Sequence, residues 1–316
     1  MRCLPSASPR RSVDKGKGGA VPGRSGSIAA SEGTNRRDGI RGDPAALIGG
    51  TVILNPVEVE LPGLHPVWND LRIGHVSDFH FHRWNASLEQ TQRLLLDVPF
   101  DFIAVTGDFG TLRSRWRTAA RWTRRFFAPI AEKTPVYAVL GNHDLPQQIS
   151  FEDPPIRFLR NESVLIERNG RRMRLAGVEQ ACGAEEDLDA ALPPSPDPEA
   201  DFTVLLAHYP STVFRLPPGR VTLQLSGHTH GGQIRLPGLG CVWPNDAIPR
   251  QWARGLRRVG GTWLHVTPGI GMSPPLPVRL WCPPEVSRLT IRVPVSTETG
   301  TGRPVGISSP AEAGVA

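Results

Sequence analysis

The sequence predicts an α/β fold of four layers, with two mixed sheets packed face to face and helices outside. Three observations predict it. Over residues 51–140, apolar strand-like runs alternate with helix-like ones, a β-α-β-α-β order that favours parallel pairing with helices covering the sheet. From residue 163 onward, strand-like runs follow one another with little helix, and a second sheet packed on the first accommodates them. Five of the runs end in carboxylate, amide or imidazole side chains, which places chemistry at the carboxyl ends of the strands.

The strands are expected at 51–61, 71–77, 101–106, 135–140, 163–167, 173–178, 202–207, 221–226, 262–266 and 286–293. Helices are expected at 86–96, 113–131 and 185–191, with a short one after Pro210. Two long Pro-rich loops, 236–249 and 268–284, connect the later strands, and long ordered loops tend to carry function.

Composition bounds the rest. The chain has 316 residues, 39% hydrophobic and 21% charged, with 33 Gly and 32 Pro, enough for one large domain or two small ones. Of the net charge of +6, residues 1–45 supply +5, with nine Lys/Arg against four Asp/Glu. The remainder is close to neutral, which excludes a broad basic groove, and no nucleic acid is expected as a partner. Residues 1–45 are rich in Ser, Gly, Pro and Arg without periodicity and are expected to form a disordered basic tail. Residues 296–316 read likewise, leaving 46–295 as the folded domain. No apolar run approaches the roughly 20 residues of a spanning helix. Arg10-Arg11 lacks the apolar stretch that a twin-arginine export signal needs. A cytoplasmic protein is expected, in peripheral contact with an anionic inner membrane surface through the tail and the arginine-rich 113–125 segment. Cys3, Cys182, Cys241 and Cys282 show no paired ligand spacing and read as reduced thiols, Cys241 with Cys282 being the one pair considered for a disulfide.

The chemistry follows the strands. Asp78-Phe79-His80 comes after the second strand, Gly107-Asp108 after the third, and Gly141-Asn142-His143-Asp144 after the fourth. His208 and Gly227-His228-Thr229-His230 follow two later ones. Asp78 or Asp108 alone would read as a helix N-cap, but caps do not explain so many imidazoles behind separate strands. Mixed carboxylate, amide and imidazole donors suit Mn, Fe or Zn. Seven candidates, Asp78, His80, Asp108, Asn142, His208, His228 and His230, exceed what one ion holds, so two divalent ions sharing one carboxylate are expected. Gly107, Gly141 and Gly227 are expected to let the backbone turn sharply before each ligand. His82 lies outside the pattern, and His65, His75 and His265 read as structural.

These five blocks, in this order, resemble the calcineurin-like metallophosphoesterase superfamily. The run Ser226-Gly227-His228-Thr229-His230-Gly231-Gly232-Gln233, with Pro249, Gly255-Leu256 and Pro283-Pro284-Glu285, is similar to its bacterial membrane-associated phosphodiesterase branch, related to UDP-diacylglucosamine hydrolases. The resemblance implies that Asp78, His80 and His230 hold one ion, that Asn142, His208 and His228 hold the other, and that Asp108 bridges. It implies that His143 contacts the phosphoryl group or protonates the leaving group, that Asp144 orients His143, and that metal-activated hydroxide attacks without a covalent phospho-enzyme. The implied reaction is hydrolysis of a phosphoester, a diester or pyrophosphate-type bond in a lipid-linked or nucleotide-sugar substrate. The alternatives are a nucleotide or protein phosphomonoesterase and an inactive metal-binding scaffold, although no ligand is missing here. Arg250 and Arg254, near Trp243 and Trp252, either grip the anionic substrate or pack their loop.

Overall fold

The computed structural model describes residues 51–148, 155–194, 196–273 and 278–294. The expected tails at 1–45 and 296–316, together with Arg10-Arg11 and Cys3, lie outside the described residues. The first half runs β1 (Ile53–Glu60), β2 (Arg72–Val76), α1 (Ala86–Asp97), β3 (Phe102–Thr106), α2 (Trp116–Ala131), β4 (Val136–Val139) and β5 (Arg157–Phe158). The second half runs β6 (Glu162–Arg168), β7 (Arg171–Gly177), α3 (Leu188–Ala191), β8 (Thr203–Leu206) and β9 (Leu223–Ser226). It ends with β10 (Arg235–Leu236), β11 (Gly240–Cys241), β12 (Gly255–Val259), β13 (Thr262–Val266) and β14 (Glu285–Arg292).

Two six-stranded mixed sheets result, in the orders β1-β14-β2-β3-β4-β5 and β12-β13-β9-β8-β7-β6. β2, β3, β4 and β5 are parallel, as the β-α-β-α-β order requires, and so are β7, β8, β9 and β13. Period-two alternation assigns each strand's two faces. On β3, Ile103 and Val105 face the helices, packing with Leu88, Leu95, Phe126, Phe127 and Ile130. Phe102 and Ala104 face inward, where Ile73 and Leu289 meet Leu175, Val204, Leu206, Leu223 and Leu225 of the other sheet.

α1 starts where Asn85 caps it, its side chain accepting from Leu88 N at 2.9 Å. α2 buries Ala119, Ala120, Thr123, Phe126, Phe127 and Ile130, a helical stripe, and leaves Arg117, Arg121, Arg124 and Arg125 exposed. A 3-10 turn, Arg113–Arg115, precedes it in place of the expected first turn. The layer outside the second sheet is thin. The helix expected over 185–191 shrinks to α3, because the Asp187 side chain caps Ala190 N at 2.9 Å and starts the helix there. A 3-10 segment, Pro210–Arg215, occupies the place of the short helix. The strands not foreseen are β5, β10, β11 and β12.

A buried histidine pair crosses the apolar interface between the sheets. His75 Nδ1 on β2 lies 2.9 Å from His265 Nδ1 on β13, and His75 Nε2 lies 2.9 Å from Thr106 Oγ1. Both rings are fully buried. Burial, aided by His265, holds His75 well below its ordinary value, and burial with nearby Arg257 lowers His265 to about 3. Both rings are therefore neutral, and one N–H can bridge the facing nitrogens.

The pair sets an acid limit. Above the ordinary histidine value near 6.5, folded and unfolded chains share the neutral form and full stability is present. Below it, the unfolded chain binds protons that the buried rings refuse, which costs about 1.4 kcal/mol per pH unit per ring. Urea unfolding of His265→Gln should therefore lose stability less steeply than the parent between pH 6.5 and 4. Parallel slopes would contradict this origin.

Candidate metal centre

The side chains named by the motifs meet at one edge of the sandwich. Asp78 and His80 follow β2, Asp108 follows β3, Asn142 and His143 follow β4, His208 follows β8, and His228 and His230 follow β9. They form two buried groups, Asp78 with His80 and His230, and Asp108 with His208 and His228, each with ligand atoms within 4.8 Å of one another. Asn142 joins the second group, its Oδ1 lying 2.9 Å from His208 Nε2. Asp108 faces both: Oδ2 is 3.7 Å from His80 Nε2, and Oδ1 is 3.4 Å from His208 Nε2.

Main-chain carbonyls fix which imidazole nitrogen points inward. His80 Nδ1 lies 3.0 Å from Gly110 O, His208 Nδ1 2.7 Å from Thr106 O, and His228 Nε2 2.8 Å from Asn245 O. A carbonyl only accepts, so each of these nitrogens carries hydrogen and the other nitrogen faces the cluster. His80 Nε2 then sits 3.0 Å from His230 Nε2, and His228 Nδ1 sits 3.2 Å from His208 Nε2. Facing lone pairs ringed by carboxylates require a proton or a cation between them, and mixed O/N donors fit a divalent transition ion.

Electrostatics agrees with that fit. Burial lowers His80 and His228 to about 4 and His230 well below its ordinary value, so these three are neutral, as ligands must be. Burial pushes Asp78 up to about 7. At Asp108 burial also pushes upward, but His208 beside it prevails and holds the carboxyl well below the usual range. Burial would depress His208, yet Asp108 raises it to about 9. A proton held at this pair and a divalent ion compete for the same lone pairs, so ion binding releases the proton.

The local backbone is unusual. Asp78, His80, Asp108, His228 and His230 all have positive φ, between 47° and 66°. Gly107 shares that region with φ 89°, as expected. Gly141 and Gly227 do not, and their role is space. A Cβ on Gly141 would fall onto Asp108 Oδ1, and one on Gly227 onto Ser77 Oγ.

Several supporting residues were not legible in the motifs. Asp144 was expected to orient His143. In the structure His143 Nδ1 lies 3.0 Å from Thr111 O. The Asp144 carboxylate accepts from Phe109 N, Gly110 N and Gly141 N at 3.2, 3.0 and 3.0 Å, tying the Asp108 loop to the Asn142 loop. Arg113, read from sequence as part of a helix face, donates through Nη2 to Asn142 O at 3.0 Å. Arg279 is buried, with Nε 2.9 Å from Gly271 O, Nη2 2.8 Å from Pro268 O, and Nη1 3.4 Å from His230 O. The loop it gathers lies on Asp78, Gly271 N donating to Asp78 O at 2.7 Å. The lone Arg of the 268–284 loop was the only available sequence signal for it.

His82 is exposed, with Nδ1 3.1 Å from His80 O. Arg250 stands exposed on a 3-10 turn, Arg250–Trp252, and Arg254 is half-buried just beyond. That segment is anchored between the two β9 histidines, where Thr229 Oγ1 donates to Ala253 O at 2.6 Å. Cys241 and Cys282 are free thiols.

Two outcomes follow from this geometry. Asp108→Ala removes the carboxylate that faces both groups, so elemental analysis should show fewer ions per chain than in the parent; equal content would contradict the bridge. Arg279→Met should weaken ion binding at the Asp78 group by about tenfold or more, comparable to loss of an outer-shell partner, while sparing the Asp108 group. Equal weakening of both groups in a metal titration would refute that selectivity.

Residues 71–232 match the calcineurin-like phosphoesterase family. The chain is 30% identical over 231 residues to phosphodiesterase YaeI of Escherichia coli, covering 70% of this chain and 82% of that protein. It is 27% identical to the uncharacterized metallophosphoesterase YkoQ of Bacillus subtilis, covering 59% and 70%. It is 32% identical over 124 residues to the uncharacterized metallophosphoesterase YkuE of the same organism, covering 39% and 42%. Motif order, sheet topology and this match agree: the chain belongs to the calcineurin-like phosphoesterase family, metal-dependent hydrolases of phosphoester bonds.

Proposed function

We propose that the protein cleaves a phosphodiester or pyrophosphate-type bond in a lipid-linked or nucleotide-sugar substrate, using two divalent ions of Mn, Fe or Zn. The observation that carries this reading is the pair of buried donor groups facing one shared carboxylate. The likeness to the phosphodiesterase YaeI supports the diester class. Asp78, His80 and His230 would hold one ion, Asn142, His208 and His228 the other, and Asp108 both. When bound, such a pair polarises the phosphoryl oxygen and activates water.

The remaining work falls to side chains. With Nδ1 on Thr111 O and its ring 5.2 Å from that of His80, His143 keeps Nε2 for the substrate. A protonated His143 would donate from Nε2 to the leaving oxygen, its second N–H held by the Thr111 carbonyl. Asp144 keeps the Asp108 and Asn142 loops in register and so would hold His143 in place beside the donor groups. Arg250 and Arg254 would meet the anionic part of the substrate from the rim. Peripheral contact with an anionic inner membrane surface belongs to the same reading. Among the described residues no helix is long and apolar enough to cross a membrane.

A hydrolysis screen with Mn, comparing UDP-diacylglucosamine, cyclic nucleotides, and nitrophenyl mono- and diesters, tests the substrate class. Preference for a monoester over every diester and pyrophosphate would overturn it. His143→Ala should keep its ions and lose about 10²–10⁴ in rate on alkyl esters, the range of a positioned general acid. The loss should shrink for nitrophenyl esters, whose leaving group needs no proton, and equal losses on both would exclude the acid role.

A further inference from the structure

The exposed apolar surface is concentrated beside the metal centre. Five of the seven large apolar side chains exposed among the described residues belong to the β10-β11 hairpin and the adjoining loop. They are Leu236 (39% exposed), Leu239 (52%), Val242 (42%), Trp243 (72%) and Met272 (36%). Met272 joins the hairpin through its neighbour Ser273, which donates from N to Gln233 Oε1 at 2.8 Å. Arg235 N, at the start of β10, donates to Leu280 O at 3.0 Å, fixing the hairpin to the same loop. Its base is packed, with Cys241 buried. The rim also touches the site, because Asn245, two residues beyond Trp243, supplies the carbonyl that fixes His228.

The α2 face, which the sequence singled out for lipid contact, is differently arranged. Trp116 and Trp122 are half-buried, with Arg117 4.5 Å over Trp116 and Arg125 5.2 Å over Trp122. Their rings are already covered by guanidinium groups. Among the described residues no guanidinium lies over Trp243. A contiguous exposed apolar patch on a folded domain marks a contact surface. Leu and Trp flanked by Arg are suited to the headgroup boundary of a bilayer.

The charge around the patch selects its occupant. Residues 236–245 carry no Asp, Glu, Lys or Arg. Arg235 stands opposite Cys241 in the hairpin, β11 touches the Arg250–Trp252 turn, and Arg250 is exposed. The neighbouring Asp246 is turned inward, accepting from Ser211 N at 2.9 Å and Ala247 N at 2.6 Å. A second copy docked on this patch by a two-fold axis would bring like arginines together, whereas an anionic leaflet attracts them. We propose that this rim docks the domain on an anionic lipid bilayer, with Leu236, Leu239, Val242 and Trp243 entering the headgroup region and Arg250 facing lipid phosphates. The metal centre then opens beside the membrane surface. The inference rests on the peripheral contact in that reading and names its surface, while its test is separate from the substrate, since vesicle binding is read without turnover.

Co-sedimentation of the full chain with phosphatidylglycerol/phosphatidylcholine vesicles tests it, at 0.1 M and 0.5 M salt. Leu239→Ser with Trp243→Ser should lower partitioning by about tenfold at both salt levels, because apolar burial is not screened. Arg250→Gln should lower it at 0.1 M only. Melting temperature and metal content report whether the double variant is folded, and Leu236→Ser with Val242→Ser replaces it if not. Failure of the parent protein to bind, or parent-like binding by a folded double variant, overturns the proposal. A dimer seen by light scattering and abolished by the same variant would also overturn it, assigning the patch to a second copy.

Discussion

The site depends on loops that hold one another. Five residues of the two donor groups adopt positive φ, a region that costs a non-glycine residue about 1 kcal/mol or more. Carboxylates offset that strain across the gap between loops. Asp78 Oδ2 accepts from His228 N at 3.1 Å, joining the β2 and β9 ends. Asp108 Oδ1 accepts from His143 N at 2.9 Å, joining the β3 and β4 ends. Asp144 returns three bonds from the β4 loop to its own loop and the β3 loop. Asp78 and Asp108 thus combine a place in the two donor groups with pinning the neighbouring backbone, Asp144 does only the second, and these loops are tied to one another as well as to their strands.

Such loop-to-loop bonding is available only because the two sheets end at the same place. Parallel β2, β3 and β4 deliver three carboxyl ends from one sheet, and β8 and β9 deliver two from the other. The His75–His265 contact joins the sheets three residues before Asp78, and Ser77 Oγ donates to Thr106 O at 2.9 Å beside it. Apolar packing sets the separation of the sheets but is tolerant of sliding; directional hydrogen bonds just below the ligands are not.

What the sequence made legible was whatever one residue type announces by itself. The buried strands are apolar runs, and the ligands are Asp, Asn and His placed directly after them. β12 was missed because Leu256-Arg257-Arg258 reads as surface, although antiparallel pairing with β13 recruits it. The two-residue strands β5, β10 and β11 carry no periodicity at all. Asp144 reads from sequence as the orienting partner of its neighbour His143, and the bonds its carboxylate accepts from three main-chain donors are encoded by no motif. Arg279 was invisible for the same reason, since its partners are carbonyls.

The pairing of β1 with β14 has a consequence for attachment. They are parallel, Ile53 opposite Glu285, and Glu285 N donates to Gly269 O in the loop lying on Asp78. β1 therefore begins at the rim of the site, while β14 finishes at the opposite end of its sheet. Whatever precedes residue 53 joins the domain on the mouth side, and whatever follows residue 292 departs from the back. Attachment at residue 53 would turn the mouth toward a support, and attachment at residue 292 would present it to solution.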